Sequence, residues 1–165
     1  DGSVKEPVNG ETLIDRSGLL YEVNGQKPYT GDVFELYDNG NRKLSGILKG
    51  GKLVSRTEWD YYKNGQKEYK ATYFNSMLDG ETIYWDENGD VKSISYYLAG
   101  ELHGKWTQFN TLGIVVHESE YFHGDKHGYE KYFWDNGNIK SQQEYIFGIV
   151  SGEIFRWDVS GERLN

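Results

Sequence analysis

A chain of 165 residues is close to the usual size of one domain, and an aromatic content of 16% argues against disorder. The formal net charge of −8 disfavours nucleic acids and anionic membranes, which bind proteins through lysine and arginine, and it favours a neutral or basic protein partner. The lack of cysteine excludes disulfides, thiolate nucleophiles and cysteine-ligated zinc within these residues.

The first nine residues stand apart from the rest of the chain. Residues 1–9 show no repeat pattern and are predicted to form an N-terminal tail. The first residue is Asp1 rather than methionine, so we expect a removed leader and export to the periplasm or cell envelope in preference to the cytoplasm. From Gly10 onward, a degenerate first unit that contains Pro28 is expected to cap the array and protect its edge.

A glycine repeat of period 24 dominates the remaining sequence. One glycine recurs with spacings of 25, 24, 24, 24 and 24 residues, at Gly40, Gly65, Gly89, Gly113, Gly137 and Gly161. A second glycine series lies nine residues earlier in each unit, and Arg56 is the one departure from it. Such self-similarity is typical of repeat proteins in which each unit packs on its neighbours.

Each unit is predicted to be a β-hairpin. Asparagine precedes the turn glycine at positions 39, 64, 88 and 136, and Asn-Gly is a strong hairpin signal because both residues tolerate a left-handed backbone. Two mostly aromatic columns flank the turn, one from Leu36 to Trp157 and one from Leu48 to Tyr145. We expect both columns to point to one inward face of the sheet.

The repeat predicts a single all-β domain over residues 10–165, an elongated antiparallel β-meander of stacked hairpins. Its units are expected at about residues 10–30, 31–55, 56–79, 80–103, 104–127, 128–151 and 152–165. The connections between units are short and glycine-rich, so consecutive hairpins are expected to pair side by side. A single hairpin cannot bury its aromatic face, and stability must therefore come from contacts between units.

The unit pattern resembles the variant MORN repeat (membrane occupation and recognition nexus). Its clearest stretches are residues 97–106, Tyr-Leu-Ala-Gly-Glu-Leu-His-Gly-Lys-Trp, and residues 121–128, Tyr-Phe-His-Gly-Asp-Lys-His-Gly. The opening segments at residues 27–31 and 37–40 are similar to bacterial proteins classed as YwqK-family antitoxins. The resemblance implies a MORN-like interaction scaffold with an antitoxin-like role. Lys126, in place of the usual leucine, departs from the pattern, as Arg56 does.

The sequence predicts neither an enzyme nor a cofactor. It contains no Gly-x-Ser-x-Gly elbow and no phosphate-cradling loop, and its paired carboxylates fall in predicted turns. His103, His123 and His127 are weak candidates for metal ligands, since His103 and His127 occupy the same place in neighbouring units. Equivalent places lie two strands apart, about 9 to 10 Å, which is too far for both rings to bind one ion easily, so no metal site is predicted.

Aromatic residues outside the repeated columns are the candidate binding residues, because the fold does not need them in every unit. They are Tyr37, Tyr62, Tyr84, Trp106, Tyr132 and Trp134. The leading hypothesis is a non-enzymatic repeat scaffold that presents a sheet face or an edge strand to an unidentified protein partner. The alternative is a cell-wall or carbohydrate-binding module that stacks sugars on exposed rings, although the period of 24 argues against it.

Overall fold

Short β-strands follow one another along almost the whole chain. The computed structural model describes residues 5–165, so part of the predicted tail, residues 1–4, lies outside the described residues. The strands are β1 Val8–Asn9, β2 Ile14–Arg16, β3 Leu19–Tyr21, β4 Gly31–Leu36, β5 Arg42–Lys49, β6 Lys52–Tyr61, β7 Lys67–Phe74, β8 Met77–Trp85, β9 Val91–Leu98, β10 Glu101–Leu102, β11 Gly104–Phe109, β12 Val115–Phe122, β13 Asp125–Lys126, β14 Gly128–Phe133, β15 Ile139–Ile146 and β16 Ile149–Arg156. One 3₁₀ turn, Gly10–Thr12, precedes β2. Among these described residues, no helix has the length and apolar character that a membrane span requires.

Fourteen strands form one sheet whose order follows the chain. From β4 to β16 the sheet order is that of the chain with β10 and β13 left out, so that β9 pairs with β11 and β12 with β14. The short strands β10 and β13 pair with β9 and β12. All of these pairings are antiparallel, and β1 adds to β4 in parallel at one edge. The predicted all-β antiparallel meander of hairpin repeats is confirmed.

The N-terminal segment caps one end of the sheet. Strands β2 and β3 pair with each other in a separate two-stranded sheet. The Leu20 N–H donates to the Gly51 carbonyl at 3.0 Å, and the Gly51 N–H donates to the Tyr29 carbonyl at 2.8 Å. Tyr29, Val33 and Leu48 form a buried cluster against which further N-terminal side chains pack. This cap covers the first hairpin of the long sheet.

The hairpins within units form at the predicted glycines but by a different turn. The Tyr37 carbonyl accepts the Gly40 N–H at 2.8 Å, and the Tyr37 N–H donates to the Asn41 carbonyl at 2.9 Å, which makes a three-residue loop. Of Asn39 and Gly40, only Gly40 is left-handed, with φ of 84°, so the turn does not use the tolerance of asparagine for this conformation. A type I turn followed by one left-handed residue needs a single glycine, and the Asn39 side chain instead accepts the Asn41 N–H at 2.9 Å.

The turns between units are of the tighter, two-residue kind. Phe74 pairs with Met77 across Asn75 and Ser76, whose φ values are 47° and 66°. The same left-handed pair recurs at residues 99–100, 123–124 and 147–148. Both central residues of such a turn must have positive φ, because this backbone matches the twist of the strands.

The strand register divides the two aromatic columns between the two faces of the sheet. Gly80 pairs with Tyr97, and Trp85 pairs with Val91. Directly paired residues share a face and successive residues alternate, so Tyr97 lies on the same face as Tyr84 while Trp85 lies on the other face. The expectation of one inward face for both columns is therefore wrong. We call the side that carries Tyr73, Tyr97, Tyr121 and Tyr145 the tyrosine face.

Beyond the N-terminal cap the sheet is a single layer. Within residues 5–165, the strands that contact one another extensively are neighbours in a sheet. The accessible surface is 10437 Å², against about 8400 Å² expected for a compact protein of this mass. Small residues are buried on the tyrosine face, and Ala71, for example, lies between Tyr69 and Tyr73 along β7. The rings of this face shield the backbone beneath them and remain partly open to solvent.

Candidate functional site

Three of the six predicted binding residues link neighbouring units. Each immediately precedes a three-residue turn and donates to a backbone carbonyl one unit further on: Tyr37 Oη to Trp59 at 3.1 Å, Tyr62 Oη to Trp85 at 2.8 Å and Trp134 Nε1 to Trp157 at 3.2 Å. In the other units Asp86, Asn110 and Asp158 hold this position and accept N–H groups of their own turn. These bonds give the three aromatic residues a structural role, and their binding role stays a prediction.

The other three predicted residues lie on the tyrosine face. Tyr84 pairs with Tyr69 across β7 and β8, and their ring centroids are 4.9 Å apart. Burial raises the pKa of both hydroxyls, so each stays protonated well above neutral pH. Trp106 and Tyr132 lie further along the same face and are brought together by a residue that the sequence did not single out, His117.

His117 joins Trp106 and Tyr132 into one aromatic cluster. Its ring is stacked on Tyr132 with centroids 4.0 Å apart and planes 15° apart. Its other neighbour, Trp106, meets it edge-on at 4.9 Å. Direct pairing of His117 with Tyr132 across β12 and β14 produces the stack. Two candidate binding residues therefore form a continuous surface through this histidine.

Beneath these rings lies a buried carboxylate, Glu130, which is 8% exposed. Its Oε1 accepts from Lys126 Nζ at 2.6 Å and from Tyr132 Oη at 3.3 Å, and it lies 2.8 Å from His117 Nε2. Burial opposes ionisation, but the hydrogen bonds from Lys126 and His117 outweigh it and lower the pKa of Glu130 to about 2. Glu130 is thus an ionised hub that fixes the rings above it.

The network contains a serine, a histidine and an acid, but it is not arranged for nucleophilic catalysis. Ser119 Oγ lies 3.3 Å from His117 Nε2, the same nitrogen that faces Glu130. In a catalytic relay the acid and the nucleophile bind opposite nitrogens of the ring, so that a proton taken from the serine is stabilised by the acid behind it. Here both compete for one nitrogen, and the arrangement holds side chains in place.

The sequence carried a signal for this network that lay in departures from the repeat. Lys126 takes the place of Leu102 one unit earlier, and Glu130 takes the place of Trp106. A similar pair occurs at Arg56, whose Nε lies 2.5 Å from Glu58 Oε1. In both units the cation lies over a tyrosine of the tyrosine face, Arg56 over Tyr73 at 4.1 Å and Lys126 over Tyr145 at 5.0 Å. On this face, each of these cations that breaks the repeat pattern is therefore paired with a carboxylate.

Two of the histidines proposed as weak metal ligands, His103 and His127, accept backbone hydrogen bonds from the turns between units. His103 Nδ1 accepts the backbone N–H of His123 at 3.4 Å, and His127 Nδ1 accepts that of Phe147 at 3.3 Å. One unit earlier, Asp79 Oδ2 accepts the Ala99 N–H at 3.1 Å in the same way. In the part of the chain that the structure describes, no group of three His, Cys, Asp or Glu side chains could hold a metal ion. The metal hypothesis gains no support from this geometry.

The fold and the tyrosine face define a class, the all-β hairpin-repeat proteins with an open aromatic sheet. Two segments of the chain, residues 78–99 and 126–146, match the family described as MORN repeat variant. The second segment contains Lys126, Glu130 and Tyr132. MORN repeats are a non-catalytic family generally associated with scaffolds for protein and membrane interaction. No curated protein matches the chain, and its likeness to YwqK-family antitoxins stays a prediction.

Proposed function

We propose that the chain is a non-enzymatic repeat scaffold that binds a neutral or basic protein partner. The observation that carries the proposal is the open tyrosine face, on which Tyr84 and Tyr132 are exposed and Trp106 is half-buried. Aromatic side chains dominate the energetics of protein interfaces, and rings that are already held in place lose little entropy on binding. The Glu130 network supplies that rigidity for Trp106 and Tyr132.

Charge and geometry favour a protein over the alternative partners. The net charge of −8 repels phosphate-rich surfaces, whether nucleic acid or anionic membrane. A sugar-binding module needs free tryptophan faces, whereas the Trp134 indole is tied to the next unit and Trp106 packs edge-on against His117. These contacts weaken the carbohydrate alternative and leave the tyrosines as the open rings.

The antitoxin-like form of the proposal, in which binding neutralises a toxic partner, draws support from the sequence resemblance alone. Export to the periplasm or cell envelope belongs to the same proposal, and cell fractionation would test it. A toxic partner should become tolerable to cells when this chain is co-expressed with it. Continued toxicity at matched expression would remove the antitoxin form and leave the scaffold proposal intact.

Site-directed cross-linking tests the scaffold proposal. A photo-cross-linking phenylalanine analogue is placed at Tyr132, and in a matched control at Lys131, the next residue of β14, which faces the opposite side of the sheet. In the native cells, the Tyr132 position should capture one protein in stoichiometric yield, and the Lys131 position should capture much less of it. Absence of any captured protein from correctly folded bait, or equal capture at both positions, would contradict the proposal.

A further inference from the structure

One long rim of the sheet is rich in exposed apolar side chains. We call it the inter-unit rim, and it comprises the turns at residues 75–76, 99–100, 123–124 and 147–148 with the strand ends that flank them. Its exposed apolar residues are Phe74, Met77, Leu98, Phe122, Ile146, Phe147, Ile149 and Val150. Along the opposite rim, the three-residue turns themselves expose two large apolar residues within residues 5–165, Leu112 and Val159.

The rim is continuous because backbone hydrogen bonds join each turn to the strand that follows the preceding turn. The N–H groups of Gly100, Gly124 and Gly148 donate to the carbonyls of Leu78, Leu102 and Lys126, at 2.7, 2.8 and 2.8 Å. Aromatic contacts extend the row: the Phe122 and Phe147 ring centroids are 6.2 Å apart, and His127 lies 4.5 Å from Phe147. The apolar side chains thus form one surface over several units.

Phe147 lies on this rim in a left-handed backbone conformation that is unfavourable for phenylalanine. Its φ is 46° and it is 59% exposed. The equivalent turn position has positive φ in every earlier unit and holds Gly50, Asn75, Ala99 and His123, of which glycine and asparagine suit the left-handed conformation best. Neither backbone preference nor burial accounts for a phenylalanine here. Residues held in sparsely populated backbone conformations concentrate at functional sites, which favours a contact role for this ring.

The charges beside the apolar row are acidic. Asp79, Glu101 and Asp125 lie within residues 74–79, 98–103 and 122–127, where Lys126 is the one lysine. Lys126 Nζ is already bonded to Glu130 at 2.6 Å and is directed to the tyrosine face. Glu101 and Asp125 are exposed, although Glu101 Oε2 lies 3.3 Å from His123 Nδ1. The rim therefore combines apolar rings with carboxylates.

We infer that the inter-unit rim is the docking surface for a partner segment in which apolar side chains alternate with lysine or arginine. This inference rests on the proposed function, because it adds a second contact surface, with its chemistry, for the partner that the tyrosine face binds. Apolar side chains of the segment would cover Phe122 and Phe147, and its cations would reach Glu101 and Asp125 or lie over the exposed rings. The acidic net charge of the whole chain would speed the encounter.

A defined peptide tests the inference. The probe is a fluorescent dodecapeptide of alternating leucine and lysine, compared by fluorescence anisotropy with one of alternating leucine and glutamate. The intact chain should bind the lysine peptide at least about tenfold more tightly. Phe147→Asn should weaken that binding about tenfold, as expected for an interface hot spot. It should leave the far-ultraviolet circular dichroism unchanged, because Asn75 already occupies the equivalent turn position.

Leu112→Asn is the matched control, since Leu112 is 78% exposed on the opposite rim and asparagine holds its place in most other units. This variant should bind the lysine peptide as the unaltered chain does. Glu101→Gln with Asp125→Asn should weaken the binding as well. Equal binding of the two peptides, or full binding by folded Phe147→Asn, would overturn the inference. Capture of a partner through Tyr132 that survives Phe147→Asn would refute the rim while the scaffold proposal stands.

Discussion

At the scale of single residues, the tyrosine face depends on one ionised carboxylate. Glu130 is buried, and its oxygen is approached by an ammonium, an imidazole and two hydroxyl groups. Such a network stabilises the fold only while its members keep their charges, because a buried acceptor or cation without its partner is costly. Protonation of Glu130 should therefore lower the free energy of unfolding of the chain.

The first prediction concerns acid. The folded-state pKa of Glu130 is about 2, against an ordinary value of 4.5. A carboxylate with a lowered pKa contributes stability that is complete above its ordinary value and is lost as pH falls toward the folded value. Between pH 4.5 and 2 the unaltered chain should lose about 2 kcal/mol more unfolding free energy than Glu130→Gln. Urea denaturation across this range measures the difference, and parallel pH profiles would contradict it.

The second prediction concerns the coupling between Lys126 and Glu130. Lys126→Leu introduces the residue type of Leu78 and Leu102, but it leaves Glu130 buried without its ammonium, and it should cost about 2 kcal/mol of unfolding free energy. Adding Glu130→Thr, the residue type of Thr82, removes the stranded charge and should restore most of that loss. Chemical denaturation of both single variants and the double variant gives the coupling. A loss in the double variant equal to the sum of the two single losses would show that the two residues act independently.

At the scale of elements, two kinds of glycine turn hold the array together. Gly65 has φ of 86° in a three-residue turn, and a side chain there would meet nothing within 4 Å. Gly51 has φ of 78° in a two-residue turn, where an added Cβ would lie 2.8 Å from the Leu20 nitrogen. The first glycine is needed for its conformation, whereas the second also lets the N-terminal cap approach.

The third prediction uses this difference. Gly65→Ala should lower the unfolding free energy by about 1 kcal/mol, the cost of a left-handed alanine. Gly51→Ala has the same conformational cost and adds a backbone clash. This substitution should therefore lower the unfolding free energy by about 2 kcal/mol or more. Equilibrium urea unfolding compares the two. Equal losses would mean that the cap is not seated on the first inter-unit turn.

Element positions were predictable because the glycines and asparagines report local backbone geometry. The hairpins fall where Asn39-Gly40 and its equivalents predict them, even though the turn type differs. The assignment of faces was not predictable from columns alone, since it depends on which residues pair across strands. The contacts of the Glu130 network were not predictable for the same reason. His117 and Tyr132 are separated in sequence and meet only through the register of β12 and β14. The positive φ of Phe147 follows from its place before the repeat glycine Gly148, whereas nothing in the repeat predicts a phenylalanine there.

At the scale of the whole molecule, stability accumulates between neighbours. Apart from the short strands β10 and β13, each strand from β4 to β15 lies between two others, and the links made by Tyr37, Tyr62 and Trp134 reach one unit ahead. Beyond the buried cluster at the N-terminal cap, the described residues do not enclose a core, so the faces of the sheet and its inter-unit rim stay accessible over many units. The proposed scaffold function depends on this openness.

Nuclear Overhauser contacts between side chains test that openness most directly. We expect cross-peaks that link sheet neighbours, such as Tyr69 with Tyr84 and His117 with Tyr132, whose ring centroids are 4.9 and 4.0 Å apart. We expect none between side chains of β5 and β15, which lie far apart in the strand order. Cross-peaks between those two strands would show that the sheet closes or folds onto itself, and the account of an open scaffold would then be wrong.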